Sequence, residues 1–199
     1  VSQSLYKWRQ IANRCDLSIA IAPEIDGILE RAVDTLGSAD CALLNWSGDF
    51  LEKASDKLLA AESLRTSDLM HPPTTNLLAL NKAWLEANSQ GNNEEWIIKP
   101  RRGADCHQLV ITKNPCLLQA AIGELEQWIV QPLISGQSFS QSYFAEPSGK
   151  LHRFAAMRQR IERMSKVDQS GLRFVEVAPC QEVPPELMPA ELERIFGTG

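Results

Sequence analysis

Trp96-Ile97-Ile98-Lys99-Pro100, running directly into Arg101-Arg102-Gly103, is the stretch on which the reading of this chain turns. An apolar run of strand length that ends in a lysine places one fixed positive charge at the mouth of a cleft. The glycine that follows lets the loop bend, so that its backbone amides approach phosphate oxygens. Taken alone, the same residues are a solvated strand-end lysine before a turn. Their neighbours in sequence decide between the two.

Upstream stand Ser55-Asp56-Lys57 and, after a helix, Pro72-Pro73-Thr74. An Asp-Lys step on a helix is ordinarily a surface pair. Downstream, Ile129-Val130-Gln131-Pro132-Leu133-Ile134-Ser135-Gly136, then Ser138 and Ser140, reads as a strand leaving the core into a loop. Backbone groups at Val130, Gln131, Pro132 and Leu133 would there be able to pair with an adenine edge.

The rest of the chain supplies the frame. Leu5, Trp8, Ile11 and Ala12 have helical spacing over residues 2–14. Residues 17–22 read as a buried strand stopped by Pro23. Residues 25–36 return to helix, with Gly37 as terminator, and residues 41–44 form a second short strand. Ser47 is placed to cap a helix through Phe50, Leu51 and Ala54. This strand–helix alternation is that of the end of a parallel α/β domain whose beginning is missing.

Helices are then expected over 55–67 and 77–88, with a rigid break at His71-Pro72-Pro73-Thr74 and a polar turn over 89–93. Strands over 96–99 and 109–112 are joined by the loop 100–108, and an amphipathic helix over 117–127 precedes a strand over 128–133. Residues 139–145 and 151–157 make a hairpin around Pro147-Ser148-Gly149. The tail from Val183 is rich in Pro and Glu, a loop leading into a short helix. The expected fold is α/β (α+β): a partial parallel α/β domain over 1–46, then an antiparallel sheet packed with helices over 47–199.

The 199 residues are 44% hydrophobic and 23% charged with a net charge of −5, ordinary globular composition. No basic stripe extends beyond the cluster from Arg153 to Arg163, which argues against a nucleic-acid binder. No apolar run approaches the roughly 18 to 20 residues that cross a bilayer. Five scattered cysteines without a C-x-x-C pair point to reduced thiols in a cytoplasmic protein rather than to zinc or a disulfide framework. His71, His107 and His152 are too far apart in sequence to suggest a metal triad, and Trp84, Trp96 and Trp128 fall on apolar faces as core residues. The chain begins at Val1 and is expected to be a piece of something longer.

Taken in order, Ser-Asp-Lys, Pro-Pro-Thr, Lys-Pro-x-x-Gly, Val-Gln-Pro-Leu-Ile-x-Gly-x-x-x-Ser and the hairpin resemble the ATP-grasp superfamily over roughly residues 55–160. The resemblance implies that Lys57 and Lys99 hold the ATP phosphates, that Gly103 lies in the phosphate loop, and that Val130, Gln131, Pro132 and Leu133 form the adenine hinge. Cys15-Asp16, Ile21-Ala22-Pro23-Glu24, Ile28-Leu29, Leu43-Leu44-Asn45 and Arg158-Gln159 further resemble the tyramine–glutamate ligase branch. That branch serves methanofuran-type cofactor synthesis in methanogens, with bacterial relatives in one-carbon metabolism. Ser138, Arg158 and Gln159 are candidate contacts to phosphate or substrate.

What this implies is an ATP- and Mg2+-dependent ligase that forms an acylphosphate and then an amide. Its partners would be a small carboxylate and a small amine, with a homodimer as candidate assembly and no nucleic acid or membrane. A nucleotide-binding or scaffold module without ligase activity, and a ligase for another substrate pair, stand as alternatives. The chain departs from the family in two places. Asp105 sits in the phosphate loop, where it would repel phosphates unless magnesium intervenes. No Glu-x-Asn-Pro occurs, and Glu176 is the one strand-borne acid nearby, so the metal ligands are expected outside the chain.

Overall fold

The computed structural model describes residues 2–89, 95–104, 106, 108–146, 148, 150–165 and 170–179. The polar turn expected over 89–93 beyond Ser89, Asp105 and His107 of the expected phosphate loop, Pro147 and Gly149 of the expected hairpin turn, and the tail from Val183 lie outside the described residues.

Helix α1 (Ser2–Ala12), strand β1 (Leu17–Ser18), helix α2 (Ile28–Gly37) and strand β2 (Ala42–Leu43) form a small parallel unit. Helix α2 buries Ala32, Val33 and Leu36, three positions on one face at helical spacing. The strand expected over 17–22 is corrected on two counts. Only Leu17 and Ser18 pair, with Ala42 and Leu43, and the run is not buried: Leu17, Ile19 and Ile21 are 59%, 59% and 92% exposed. With one partner strand over two residues, the run lacks the neighbouring strands that would cover its side chains.

Helix α3 (Gly48–Ser55) starts after Ser47 and ends where helix α4 (Lys57–Thr66) begins, with Asp56 between them. The helix expected from Leu77 starts later, as α5 (Lys82–Ala87). Asn76 Oδ1 accepts from the Ala79 N–H at 2.6 Å and Asn81 Oδ1 from the Trp84 N–H at 2.9 Å. The first bond holds a turn ahead of α5, and the second caps the helix. Strand β3 (Thr75–Asn76) precedes that turn.

Strands β4 (Trp96–Pro100), β5 (Val110–Thr112) and β6 (Trp128–Pro132) follow. The helix expected over 117–127 shortens to α6 (Pro115–Gln119) and a single 3-10 turn at Leu125–Gln127. Gly123 and the left-handed Glu124 (φ 50°) separate the two. The expected hairpin divides. Strand β8 (Tyr143–Ala145) pairs with β9 (Leu151–Arg153), while β7 (Ser138–Ser140) pairs with β10 (Met157–Ser165). Strand β10 then turns back into β11 (Ser170–Pro179).

The large sheet has the order β3-β6-β4-β5-β11-β10-β7, and every neighbouring pair in it is antiparallel. Strand β4 lies inside it, paired over five residues with β6 and over three with β5. One face carries the core cluster Leu77, Leu80, Trp96, Ile98 and Val130, with Trp84, Leu118, Ile122 and Trp128 packed against it. Burying each large aliphatic side chain there contributes about 1.5 to 3 kcal/mol before entropy is counted. Among the described residues, β5 and β11 meet at the pair Ile111 with Ser170. Beside it Gly171 passes so close to the Leu109 carbonyl that a Cβ would sit 3.2 Å from that oxygen.

Candidate functional site

Lys99 stands near the end of β4, in register with Ile129 of β6 and one residue beyond the stretch that is also paired with β5. Lys57 is the first residue of α4, and its backbone N–H donates to the Arg101 carbonyl at 3.0 Å. Both side chains line one cavity of about 170 Å3, together with Arg102, Gly103, Ala104 and Cys106. Residues 42 positions apart in sequence are thereby brought onto one small space.

The two ammonium groups differ in their partners. Lys57 Nζ donates to the Gly103 carbonyl at 2.6 Å and to the Arg101 carbonyl at 3.3 Å. Lys99 has no hydrogen bond or ion pair among the described residues. Burial pushes the Lys99 ammonium below the ordinary lysine range, and the neighbouring Lys57 charge lowers it further, with Cys106 opposing. Lys57 is likewise lowered by burial, offset in part by Glu24 and Asp56. Two half-buried like charges at one cavity store repulsion that an anion would relieve.

Gly103 adopts φ +116°, a conformation that side-chain-bearing residues avoid, and its carbonyl turns toward Lys57. The next residue back, Arg102, pairs with Glu30 of α2, which ties the loop to the N-terminal unit.

The four expected hinge residues do not share one environment. Val130 is fully buried, and Gln131 is 9% exposed with its amide donating to Thr74 Oγ1 at 2.7 Å. That bond brings the Pro-Pro-Thr break against β6. Pro132 is buried and in register with Trp96. The Leu133 N–H is taken by the Glu95 carbonyl at 2.8 Å.

Leu133 opens onto a second, larger cavity of about 930 Å3 between the 133–138 loop and strands β10 and β11. Ser138, Arg158 and Gln159 line it with Leu133, and the Ser138 hydroxyl donates to Gln159 Oε1 at 2.9 Å. Glu176 is on its wall, within 3.6 Å of Arg160. Arg163 forks onto both carboxylate oxygens of Glu95 at 2.6 and 2.7 Å. Among the described residues no group of three or more His, Cys, Asp or Glu side chains is placed to hold a metal ion.

Two residues that the sequence reading quoted without giving them a role are prominent here, and the surface pair expected of an Asp-Lys step is not what the structure shows at Asp56. Asp56 is buried (3% exposed) and caps α4, accepting from the Leu58 and Leu59 N–H groups at 2.9 and 3.3 Å. Arg101 binds the same carboxylate at 3.2 Å through Nε and 2.6 Å through Nη2. An aspartate directly before a helix is a capping signal that the sequence does carry. Its partner, 45 residues away, is not legible there.

The chain matches the ATP-grasp domain family over residues 54–187 and the pre-ATP-grasp domain family over residues 2–49. Among curated proteins none matches it. Its fold is similar to that of solved structures. N5-carboxyaminoimidazole synthetase from Staphylococcus aureus, complexed with ADP, aligns with a TM-score of 0.63 at 12% identity, over 98% of this chain and 49% of that one. D-alanyl-alanine synthetase A from Vibrio cholerae aligns at 0.62 and 14% identity, over 91% of this chain and 58% of that one. D-alanine–D-alanine ligase from Bacillus anthracis aligns at 0.61 and 16%, over 96% and 62%. The likeness is one of fold, and the chain spans 49% to 62% of the length of these three structures.

Proposed function

The chain belongs to the ATP-grasp family, and from that premise we propose that it is the nucleotide-holding part of a ligase that activates a carboxylate with ATP and joins it to an amine. One observation carries the reading. Lys57 and Lys99, from different elements, share a cavity under the Gly103 loop, and Lys99 has no partner among the described residues. A buried cation is costly unless paired, and a polyphosphate supplies the missing charge.

In this reading Lys57 and Lys99 offset charge on the phosphates, and the Gly103 loop covers them. Leu133 and the 133–138 loop receive the base, and Ser138, Arg158 and Gln159 face phosphate or substrate. Residues 1–46 are the pre-ATP-grasp-like unit, and 47–199 the ATP-binding region. The carboxylate attacks the γ-phosphorus to form an acylphosphate with release of ADP, and the amine then displaces phosphate. Positioning and charge neutralisation supply most of the rate in such transfers. Magnesium, when bound, would add charge neutralisation at the phosphates to that supplied by Lys57 and Lys99.

The finer reading takes glutamate as the acid and tyramine as the amine, within methanofuran-type or related one-carbon metabolism in the cytoplasm, with a homodimer as the assembly. Its support is the run Ile21-Ala22-Pro23-Glu24 together with Arg158-Gln159. Calorimetry with ATP tests the nucleotide site. Lys99→Met is expected to weaken binding by about 1.5 to 3 kcal/mol, the size of a charge-assisted hydrogen bond, and by more than Lys57→Met. Unchanged affinity in both variants rejects the assignment. ADP release with glutamate and tyramine tests the substrate pair. Release with another acid and amine only would replace the pair, and release with none would favour a binding module.

A further inference from the structure

Asp56 and Arg101 belong to neither cavity, yet both touch what builds the smaller one. The Asp56 carboxylate accepts the Arg101 guanidinium in a two-point contact, with the side chains only 5% and 24% exposed. The Arg101 carbonyl accepts from the Lys57 backbone N–H and from Lys57 Nζ. Lys57 follows Asp56 directly in the chain. The contacts therefore close a ring: carboxylate to guanidinium, along the arginine to its carbonyl, across to Lys57, and back through one peptide bond.

Arg101 also anchors this ring to the sheet. Its N–H donates to the Gln127 carbonyl at 2.8 Å, immediately before β6. The start of α4, the end of β4 and the start of β6 thus meet at one residue, through its backbone and its side chain. A ring of this kind leaves Lys57 little freedom: its backbone and its ammonium are held to the same loop that carries Gly103.

We infer that Asp56 is a positioning residue for nucleotide binding, acting through Arg101 to hold Lys57 over the cavity it shares with Lys99. The inference rests on the reading of that cavity as the phosphate site. Asp56 touches no ligand in it. Its part is to fix in advance an ammonium group that would otherwise sweep a wide range on a flexible stem, so that less freedom is lost when an anion arrives.

The Asp56 carboxyl is equipped for the task. Burial alone pushes its pKa up, but Arg101 and the Leu58 and Leu59 N–H groups outweigh that and hold it below the ordinary carboxylate range. The charge that grips Arg101 is therefore present throughout the neutral range.

Asp56→Asn separates the ring from the cap. The asparagine oxygen still caps α4, while the second charged contact to Arg101 is lost. In the full-length chain, titrated with ATP and with ADP, the variant is expected to bind about tenfold to a hundredfold more weakly, the range of one charge-assisted hydrogen bond. The decisive measurement is coupling. In a Lys57→Met background, Asp56→Asn should cost almost nothing further, because the residue it positions is gone. Arg101→Lys, which keeps the charge and the carbonyl but not the forked geometry, should reproduce the loss and the coupling if Asp56→Asn proves too unstable to titrate.

Equal losses with and without Lys57 would show general packing instead and overturn the inference, as would unchanged affinity in Asp56→Asn. If Lys57→Met and Lys99→Met themselves bind nucleotide normally, the phosphate reading fails and this inference falls with it. If Lys99→Met weakens binding while Asp56→Asn does not, only the positioning role is lost.

Discussion

Two strands of this molecule carry similar sequence and meet opposite surroundings. Residues 17–22 are as apolar as Trp96-Ile97-Ile98, yet Ile21 is 92% exposed while Ile98 is fully buried. Strand β1 has one partner over two residues, whereas β4 is paired on both sides, over five residues and three. The consequence reaches the chemistry. A strand held on both edges delivers Lys99 to a fixed place. The β1 end leads into a loop from which Glu24 acts on Lys57 through its charge alone. Lys99 thus extends from a strand paired on both edges up to Ile98, and Glu24 from a run with no such pairing.

The largest expected effect lies in the core of the better-paired region. Ile98→Ala should destabilise the fold by about 2 to 5 kcal/mol, the usual cost of a large-to-small change at a buried site. Urea unfolding followed by tryptophan fluorescence measures it. The contrast between the regions breaks if Ile21→Ala costs as much.

A smaller effect is expected from pH, and it sharpens the contrast because it arises at the end of β4. Lys99 has a lowered pKa in the fold, so below that value it is charged in both folded and unfolded chains and its burial cost is carried in full. Between the lowered value and the ordinary one, the fold has shed a proton that the unfolded chain keeps. Stability of the free protein therefore rises with alkaline pH over that window. Nucleotide affinity should move the opposite way, since phosphate prefers the charged lysine. Calorimetry across the alkaline range checks this, and the slope should shrink in Lys99→Met. A slope that the variant leaves intact assigns the titration elsewhere.

The smallest effect belongs to the exposed run that follows β1. Ile21→Ser should change stability by no more than about 0.5 kcal/mol in either direction. A larger loss would mean that something covers this face in solution.

Much of the fold was legible because its strongest signals are local. A continuous apolar run marks a strand buried on both faces, and β4 and β6 both announce themselves so. Helix α2 shows its buried face at Ala32, Val33 and Leu36, and Ser47 stands where α3 begins. The same rule misled at residues 17–22, because an apolar run records what a strand can bury and not whether neighbours exist to bury it. The helices over 77–88 and 117–127 were read too long for a different reason. Leucines 77 and 80 are buried in the core from a turn, and helical spacing cannot tell a turn that packs well from a helix.

At the site, the order of the motifs brought out Lys57, Lys99 and Gly103, which the structure gathers at one cavity. Asp56 and Arg101 stayed hidden because a pair contact across 45 residues has no local period. The backbone around Leu133 was read as free, and its N–H is in fact engaged by Glu95, a partner 38 positions away.

Gly171 has a steric consequence where β5 meets β11. Any side chain there would bring its Cβ to 3.2 Å from the Leu109 carbonyl, so a larger residue would require that carbonyl to give way by a few tenths of an ångström. How closely the two strands lie at this point thus depends on a carbon that is not there.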